Sequence, residues 1–139
     1  IKKALSDTIG TATLYTPGIE DEFKSHAISS LHNRDCFSHG IAEDEVECTT
    51  IDTLFTEYKL KNIDYLKIDT EGAELMILKG SEQALTERKI ECIQLEYGAT
   101  YTDAGFGVED VIEYLARFEY YEFFRTTEEL LFAHKNDIP

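Results

Sequence analysis

The chain has 139 residues, with 13 Lys and Arg against 28 Asp and Glu and a formal net charge of −15. That is one domain's worth of chain, long enough to bury a real core and short for a doubly wound enzyme. The acidic surface repels phosphate backbones and argues against a nucleic-acid partner, and no apolar run approaches the ~20 residues needed to cross a bilayer.

A surface this acidic suits a cationic ligand, although acidity also serves solubility alone. The three cysteines, Cys36, Cys48 and Cys92, lack metal spacing. Their number suits a reducing, cytoplasmic compartment better than a disulfide framework. None of His26, His32, His39 and His134 forms a close ligand pair with a cysteine. The chain opens on Ile1 in mid-pattern, as expected of a fragment, here a partial single domain over 1–139.

Residues 1–7 read as the tail of a strand entering a polar turn. Residues 11–16 alternate and are rich in β-formers, so they read as a second strand ended by Pro17 and Gly18. From Ile19 to Glu45 the periodicity disappears, as expected of a long functional loop or an ordered surface excursion. Residues 46–51 alternate again and are expected to pair antiparallel with 11–16. A short helix follows from Asp52 to Tyr58, with Leu54 and Phe55 inward.

Tyr65 to Ile68 is a short, mostly apolar run that reads as a buried strand. It ends in Asp69, and a helix with Ala73, Leu75, Met76, Ile77 and Leu78 on its apolar side follows at once. Thr70 is placed to cap that helix. Gly80 breaks the pattern, and a helical piece runs from Ser81 to about Lys89. The next strand, Ile90 to Tyr97, carries a second acid at its end, Glu96.

After the Gly98–Gly107 loop, Val108, Val111, Ile112 and Leu115 fall at i, i+3, i+4 and i+7, the spacing of an amphipathic helix. Residues 120–126 and 130–135 read as a closing hairpin, with Phe118, Tyr120, Tyr121, Phe123 and Phe124 expected in the core. Strands alternating with helices imply a mostly parallel sheet, and the final hairpin adds an antiparallel edge.

In open α/β sheets ligands bind beyond the carboxyl ends of the strands, which makes Asp69, Glu71, Glu74 and Glu96 the candidate site. Acids in a first helical turn are also favoured by the helix dipole alone, which is a structural account of Glu71 and Glu74. A buried charge at a strand end has fewer such accounts, so Asp69 stands out. A turn or cap role is the alternative for Glu96. Tyr97 and Tyr101 either line a pocket or pack the loop. Lys67 is expected to reach the opposite face or to extend past apolar neighbours, with no catalytic role.

Residues 46–54 and the run Ile63-Asp-Tyr-Leu-Lys-Ile-Asp-Thr-Glu-Gly-Ala-Glu-Leu-Met-Ile-Leu-Lys-Gly80 resemble the FkbM family of S-adenosylmethionine-dependent methyltransferases. Residues 93–97 and 129–135 are similar to that family's later strands, and Ala4 to Asp7 to its third strand end and adenine-side turn. The resemblance implies a Rossmann-like, doubly wound class I methyltransferase sheet of seven strands, the last antiparallel. It also implies S-adenosyl-L-methionine as cofactor and O-methylation of a hydroxyl on a sugar or natural-product-like small molecule.

By the same resemblance Ala4 and Asp7 are cofactor-binding. Asp69, Glu71 and Glu96 are the catalytic candidates because adjacent strand ends bring them to one edge, with Asp69 also a candidate cofactor contact. Asp69 would orient the acceptor or contact the cofactor's amino-acid end, while Glu71 or Glu96 takes the proton. A turn-forming Asp explains Asp7 equally well. A divalent ion on these oxygens is a variant, although no metal site is assigned. The family's first strand and glycine-rich turn have no counterpart after Ile1, since no G-x-G turn follows a strand. The N-terminal strands are therefore expected to be missing, and the fragment to bind cofactor weakly.

Residues 1–5 are then expected not to hydrogen-bond beside 64–69, but to detach, to pack on a neighbouring molecule, or to leave room for a front half. A non-catalytic α/β binding or assembly module is the competing reading. A nucleotide-dependent enzyme is disfavoured, because no phosphate-cradling glycine loop is present.

Overall fold

The computed structural model describes residues 1–17, 29–31, 41–98, 101 and 104–138. Of the 19–45 stretch only 29–31 and 41–45 fall among these, so the readings on His26, His32, His39 and Cys36 lie outside the described residues. In chain order the elements are β1 (Ala4–Leu5), β2 (Gly10–Pro17), β3 (Ile41–Thr49), α1 (Ile51–Glu57), β4 (Ile63–Ile68) and α2 (Glu74–Lys79). Then come α3 (Glu82–Thr86), β5 (Ile90–Glu96), α4 (Val108–Ala116), β6 (Tyr120–Arg125) and β7 (Glu129–His134).

These strands form two mixed sheets instead of one continuous sheet, in the orders β1-β3-β2 and β4-β5-β7-β6. In the first, β2 and β3 pair antiparallel from Gly10↔Cys48 to Pro17↔Ile41, and β1 lies parallel to β3 through Ala4↔Cys48. The expected pairing of 11–16 with 46–51 is thus present, but β3 begins at Ile41. Ala42 to Glu45 carry weak β propensity; the ladder to β2 holds them extended, an override of local preference by pairing. The first residues neither detach nor join β4, because β1 is hydrogen-bonded to β3.

In the second sheet β4 and β5 are parallel, while β7 runs antiparallel to both β5 and β6. Alternation puts Leu66, Ile93 and Phe132 in one row and Ile68, Leu95 and Leu130 in the next. These rows pack with Ile77, Leu78, Leu85, Val111 and Leu115 from α2, α3 and α4 into the core. Each of these side chains except the partly buried Leu66 contributes about 1.5–3 kcal/mol. The Tyr120 hydroxyl, also buried, donates to the Ile90 carbonyl at 2.6 Å.

The opposite face of this sheet is not covered in the same way, and two expectations fail there. β4 is only half-buried, with Tyr65 52% exposed, since it lies at the end of its sheet with one face packed. The aromatic run also splits. Tyr120 is fully buried, whereas Tyr121, Phe123 and Phe124 are exposed, because the period of two sends alternate residues outward and a bulge between Glu122 and Phe124 shifts the register.

Gly80 joins the two halves. A Cβ there would meet the Ser6 carbonyl oxygen at 2.1 Å, so only glycine lets the turn after β1 approach the end of α2. The Asp52 N–H donates to the Gly80 carbonyl at 3.1 Å. Both Asp52 side-chain oxygens accept from the Gln83 and Ala84 N–H groups at 2.9 Å, and this ties α1 to the start of α3.

Candidate active site

β4 and β5 run parallel in the register Lys67↔Gln94 and Ile68↔Leu95, so Asp69 and Glu96, next along each strand, leave the sheet side by side. Between Asp69 and α2 the backbone makes a tight turn in which Glu71 takes a left-handed conformation (φ 54°) and Gly72 a φ of 110°. A non-glycine residue there is uncommon.

The turn is held from inside by Glu74. Its carboxylate is buried, with Oε1 accepting from the Thr70 N–H at 2.9 Å and the Thr70 hydroxyl at 3.1 Å, and Oε2 accepting from the Gly72 N–H at 3.0 Å. Thr70 therefore does not cap the helix as expected; the N-cap is Ala73, without a side-chain bond. The motif's second glutamate reaches back to the turn's donors instead. Burial raises the Glu74 carboxyl above its ordinary range, against the lowering effect of those hydrogen bonds. A second tie comes from the first sheet: the buried Ser30 exchanges backbone hydrogen bonds with Tyr15 and donates its hydroxyl to the Glu71 carbonyl at 2.8 Å.

Asp69 and Glu71 line two cavities. The smaller, about 70 Å³, is completed by Glu74, Glu96, Tyr97 and Gly98. It has room for a few waters or one small functional group. The larger, about 350 Å³, adds Ala4, Leu5, Leu14, Leu31 and Ala73 beside Lys3, Ser29, Ser30 and Thr70, a size that small-molecule sites reach.

Asp69, Glu71 and Glu96 are thus brought together, and Ala4 faces the same larger cavity as Asp69. Asp7 is not brought there. It lies exposed in the turn after β1, where its Oδ1 accepts from the Ser6 and Thr8 hydroxyls at 3.1 and 3.4 Å. Tyr101 is buried beside Phe106 and donates its hydroxyl to the Glu96 carbonyl at 2.9 Å, so it packs the loop and fixes the end of β5. Tyr97 lines the smaller cavity while its hydroxyl donates to the Thr126 carbonyl at 3.0 Å.

Electrostatics separates the acids. Burial raises the Glu96 carboxyl, and a hydrogen bond with Asp69 and the charges of Asp69 and Glu71 raise it further, against the opposing charge of Lys67. Two carboxyl groups this close disfavour simultaneous ionisation. Lys67 is the residue that reading the sequence missed. Its Nζ lies 3.0 Å from Asp69 Oδ2 instead of on the opposite face. The signal was the strand period, since residues two apart share a face. Ser30 had no sequence signal at all. Among the described residues no group of three or more His, Cys, Asp or Glu is arranged to hold a metal ion, and no helix is long and apolar enough to cross a membrane.

Comparison with known proteins adds one finding. The family model described as Methyltransferase FkbM domain matches residues 2–123, a span that includes both cavities' described lining residues. No curated protein and no solved structure matches the chain.

Proposed function

The chain belongs to the FkbM methyltransferase family, and from that premise we propose that it belongs to an S-adenosylmethionine-dependent enzyme that methylates a hydroxyl of a small molecule. The observation that carries this reading is the convergence of Asp69, Glu71 and Glu96 at the carboxyl ends of two parallel strands. The doubly wound class I fold is part of the proposal. The parallel β4–β5 pair, with α2 and α3 between its strands, and the antiparallel β6–β7 hairpin support it.

The residues of the larger cavity suit the cofactor. Ala4, Leu5, Leu14 and Leu31 offer apolar surface for a flat base, and Asp69 and Glu71 offer acceptors for an ammonium. Bound there, S-adenosylmethionine would supply an electrophilic methyl group. The chain's own task is to orient the acceptor, exclude water and receive a proton.

Proton removal sets a limit on the mechanism. Taking water's pKa of about 15.7 as a proxy for an alcohol and about 4.3 for Glu, full deprotonation before attack would cost about 15 kcal/mol. The proton therefore leaves late, as the acceptor oxygen loses electron density. Glu96 is the recipient in this reading: its raised carboxyl lies nearer the working pH, where a general base is most effective. Asp69 orients the acceptor or the cofactor's amino-acid end. The setting is a reducing, cytoplasmic one.

Calorimetry with S-adenosylmethionine, run on this chain and on any longer parent chain, tests the cofactor. Binding by the parent supports the reading, and no heat from the parent favours a non-catalytic binding or assembly module. In the full-length enzyme Asp69→Asn is expected to lower turnover about 100-fold, the size of loss that a small misplacement of the reacting groups causes. Undiminished turnover with unchanged cofactor affinity removes Asp69 from the mechanism.

A further inference from the structure

Lys67 stands on β4 two residues before Asp69, so both side chains leave the same face of the strand. The neighbouring positions on that face are Gln94, directly opposite Lys67 on β5, then Glu96, and Glu129 opposite Glu96 on β7. Gln94 Nε2 donates to Glu129 Oε1 at 2.6 Å, which gives that acid its own partner. Lys67 Nζ is left to donate to Asp69 Oδ2 at 3.0 Å, with both side chains about half exposed. An ion pair this exposed is a weak source of stability. Its place beside a pair of carboxyl groups on a cavity gives it another use.

We propose that Lys67 is a positioning residue of this rim: its ammonium clamps Asp69 as the ionised member of the Asp69–Glu96 pair, so that Glu96 is the group that takes up and returns the proton. This deepens the methyltransferase reading and rests on it for the identity of the acceptor, but not for the proton's location.

The physical argument follows the proton. A hydrogen bond between two carboxyl groups needs one proton, and without a bias it can sit on either. The ammonium stabilises the anionic form of the oxygen it touches, and that oxygen belongs to Asp69. The proton is then held by Glu96, which faces Asp69 from β5, Glu71 and Glu74 from the turn and Glu129 from β7, with Tyr97 and Tyr101 from its own loop. Lys67 is itself raised, first by its hydrogen bond to Asp69 and then by the charges of Asp69, Glu96 and Glu129, so it stays charged while Glu96 titrates. Before the transfer both carboxyl groups are ionised; when an acceptor hydroxyl releases its proton, a Glu96 carboxylate oxygen binds it as the pair's single proton, and the resulting neutral carboxyl donates to the Asp69 carboxylate. Were the proton to settle on Asp69 instead, the recipient would change between turnovers.

The test needs neither cofactor nor acceptor. With side-chain carboxyl carbons labelled with ¹³C, the chain is titrated by NMR as wild type and as Lys67→Met, Lys67→Gln and Lys67→Arg. In the wild type the upper titration step is expected at the Glu96 carbon. In Lys67→Met and Lys67→Gln the same step is expected at both the Asp69 and Glu96 carbons, and Lys67→Arg returns it to Glu96. If the neutral variants leave the step on Glu96 with its wild-type midpoint, Lys67 is only a surface ion pair and the inference fails. A parent chain that binds no S-adenosylmethionine would overturn the proposed activity and leave this result standing.

Discussion

At its C-terminal end α2 runs into Gly80, where the Ser6 carbonyl comes so close that a Cβ would sit 2.1 Å from it, and where the Asp52 N–H closes on the Gly80 carbonyl. At its N-terminal end the same helix starts from a turn whose acids, Asp69 and Glu71, face two cavities. One end is closed by backbone from both sheets' neighbours; the other is open and crowded with like charge. A helix anchored by packing at one end can carry repelling carboxylates at the other, because their repulsion is not what decides its position. Between the two stands Glu74, an acid by composition and a structural strut by its hydrogen bonds.

Breaking the closed end gives the largest expected effect. Gly80→Ala forces the Ser6 backbone to move, and overpacking of this kind typically costs 1–3 kcal/mol and occasionally more. About 3 kcal/mol is expected in a urea melt, with loss of amide-exchange protection at the Ser6 N–H, which donates to the Thr49 carbonyl. A melt unchanged within error would mean that Gly80 does not anchor the helix.

Next comes the strut. Glu74→Gln turns an NH₂ group toward the N–H of Thr70 or Gly72, donor against donor, and leaves a buried group unsatisfied. About 1–3 kcal/mol is expected, with faster amide exchange confined to residues 70–73. Exchange that rises equally across α2 would instead make Glu74 part of the closed end.

The open end gives the smallest stability effect and the sharpest pH signature. Glu96 is raised by burial and then by Asp69, and Glu74 by burial, so the folded chain holds protons that the unfolded chain has already released. The stability these two carboxyls contribute is then fullest below the ordinary carboxyl range and falls as pH rises through their raised values. Glu96→Gln is expected to flatten that fall in melting temperature as pH rises above the ordinary carboxyl value of about 4.3. A slope unchanged from wild type would leave the fall to Glu74 and the overall charge.

Much of this was legible beforehand. The spacing of Val108, Val111, Ile112 and Leu115 produced α4 as expected, and the strand–acid–turn–helix order at 65–78 placed Asp69 and Glu71 at a sheet end. The errors share one cause. Thr70 looked like a cap because local chemistry permits it, but Glu74 folded back and took the donors. Lys67 reads as pointing away from the rim when β4 is taken as a buried strand, whereas Tyr65 and Lys67 of β4 are about half exposed. Tyr121, Phe123 and Phe124 looked like core because they are aromatic, and only the packing of the sheet reveals which side is covered.

Periodicity, turn residues and the acids at two strand ends are local properties, and the amino-acid order alone determined them: the elements, their class and the rim where the carboxylates gather. Tertiary structure decided which face of each strand is covered, that the strands divide into two sheets, that Glu74 is a strut and that Lys67 sits on Asp69. Those depend on contacts between residues distant in the chain, and burial and charge pairing are set by neighbours in space.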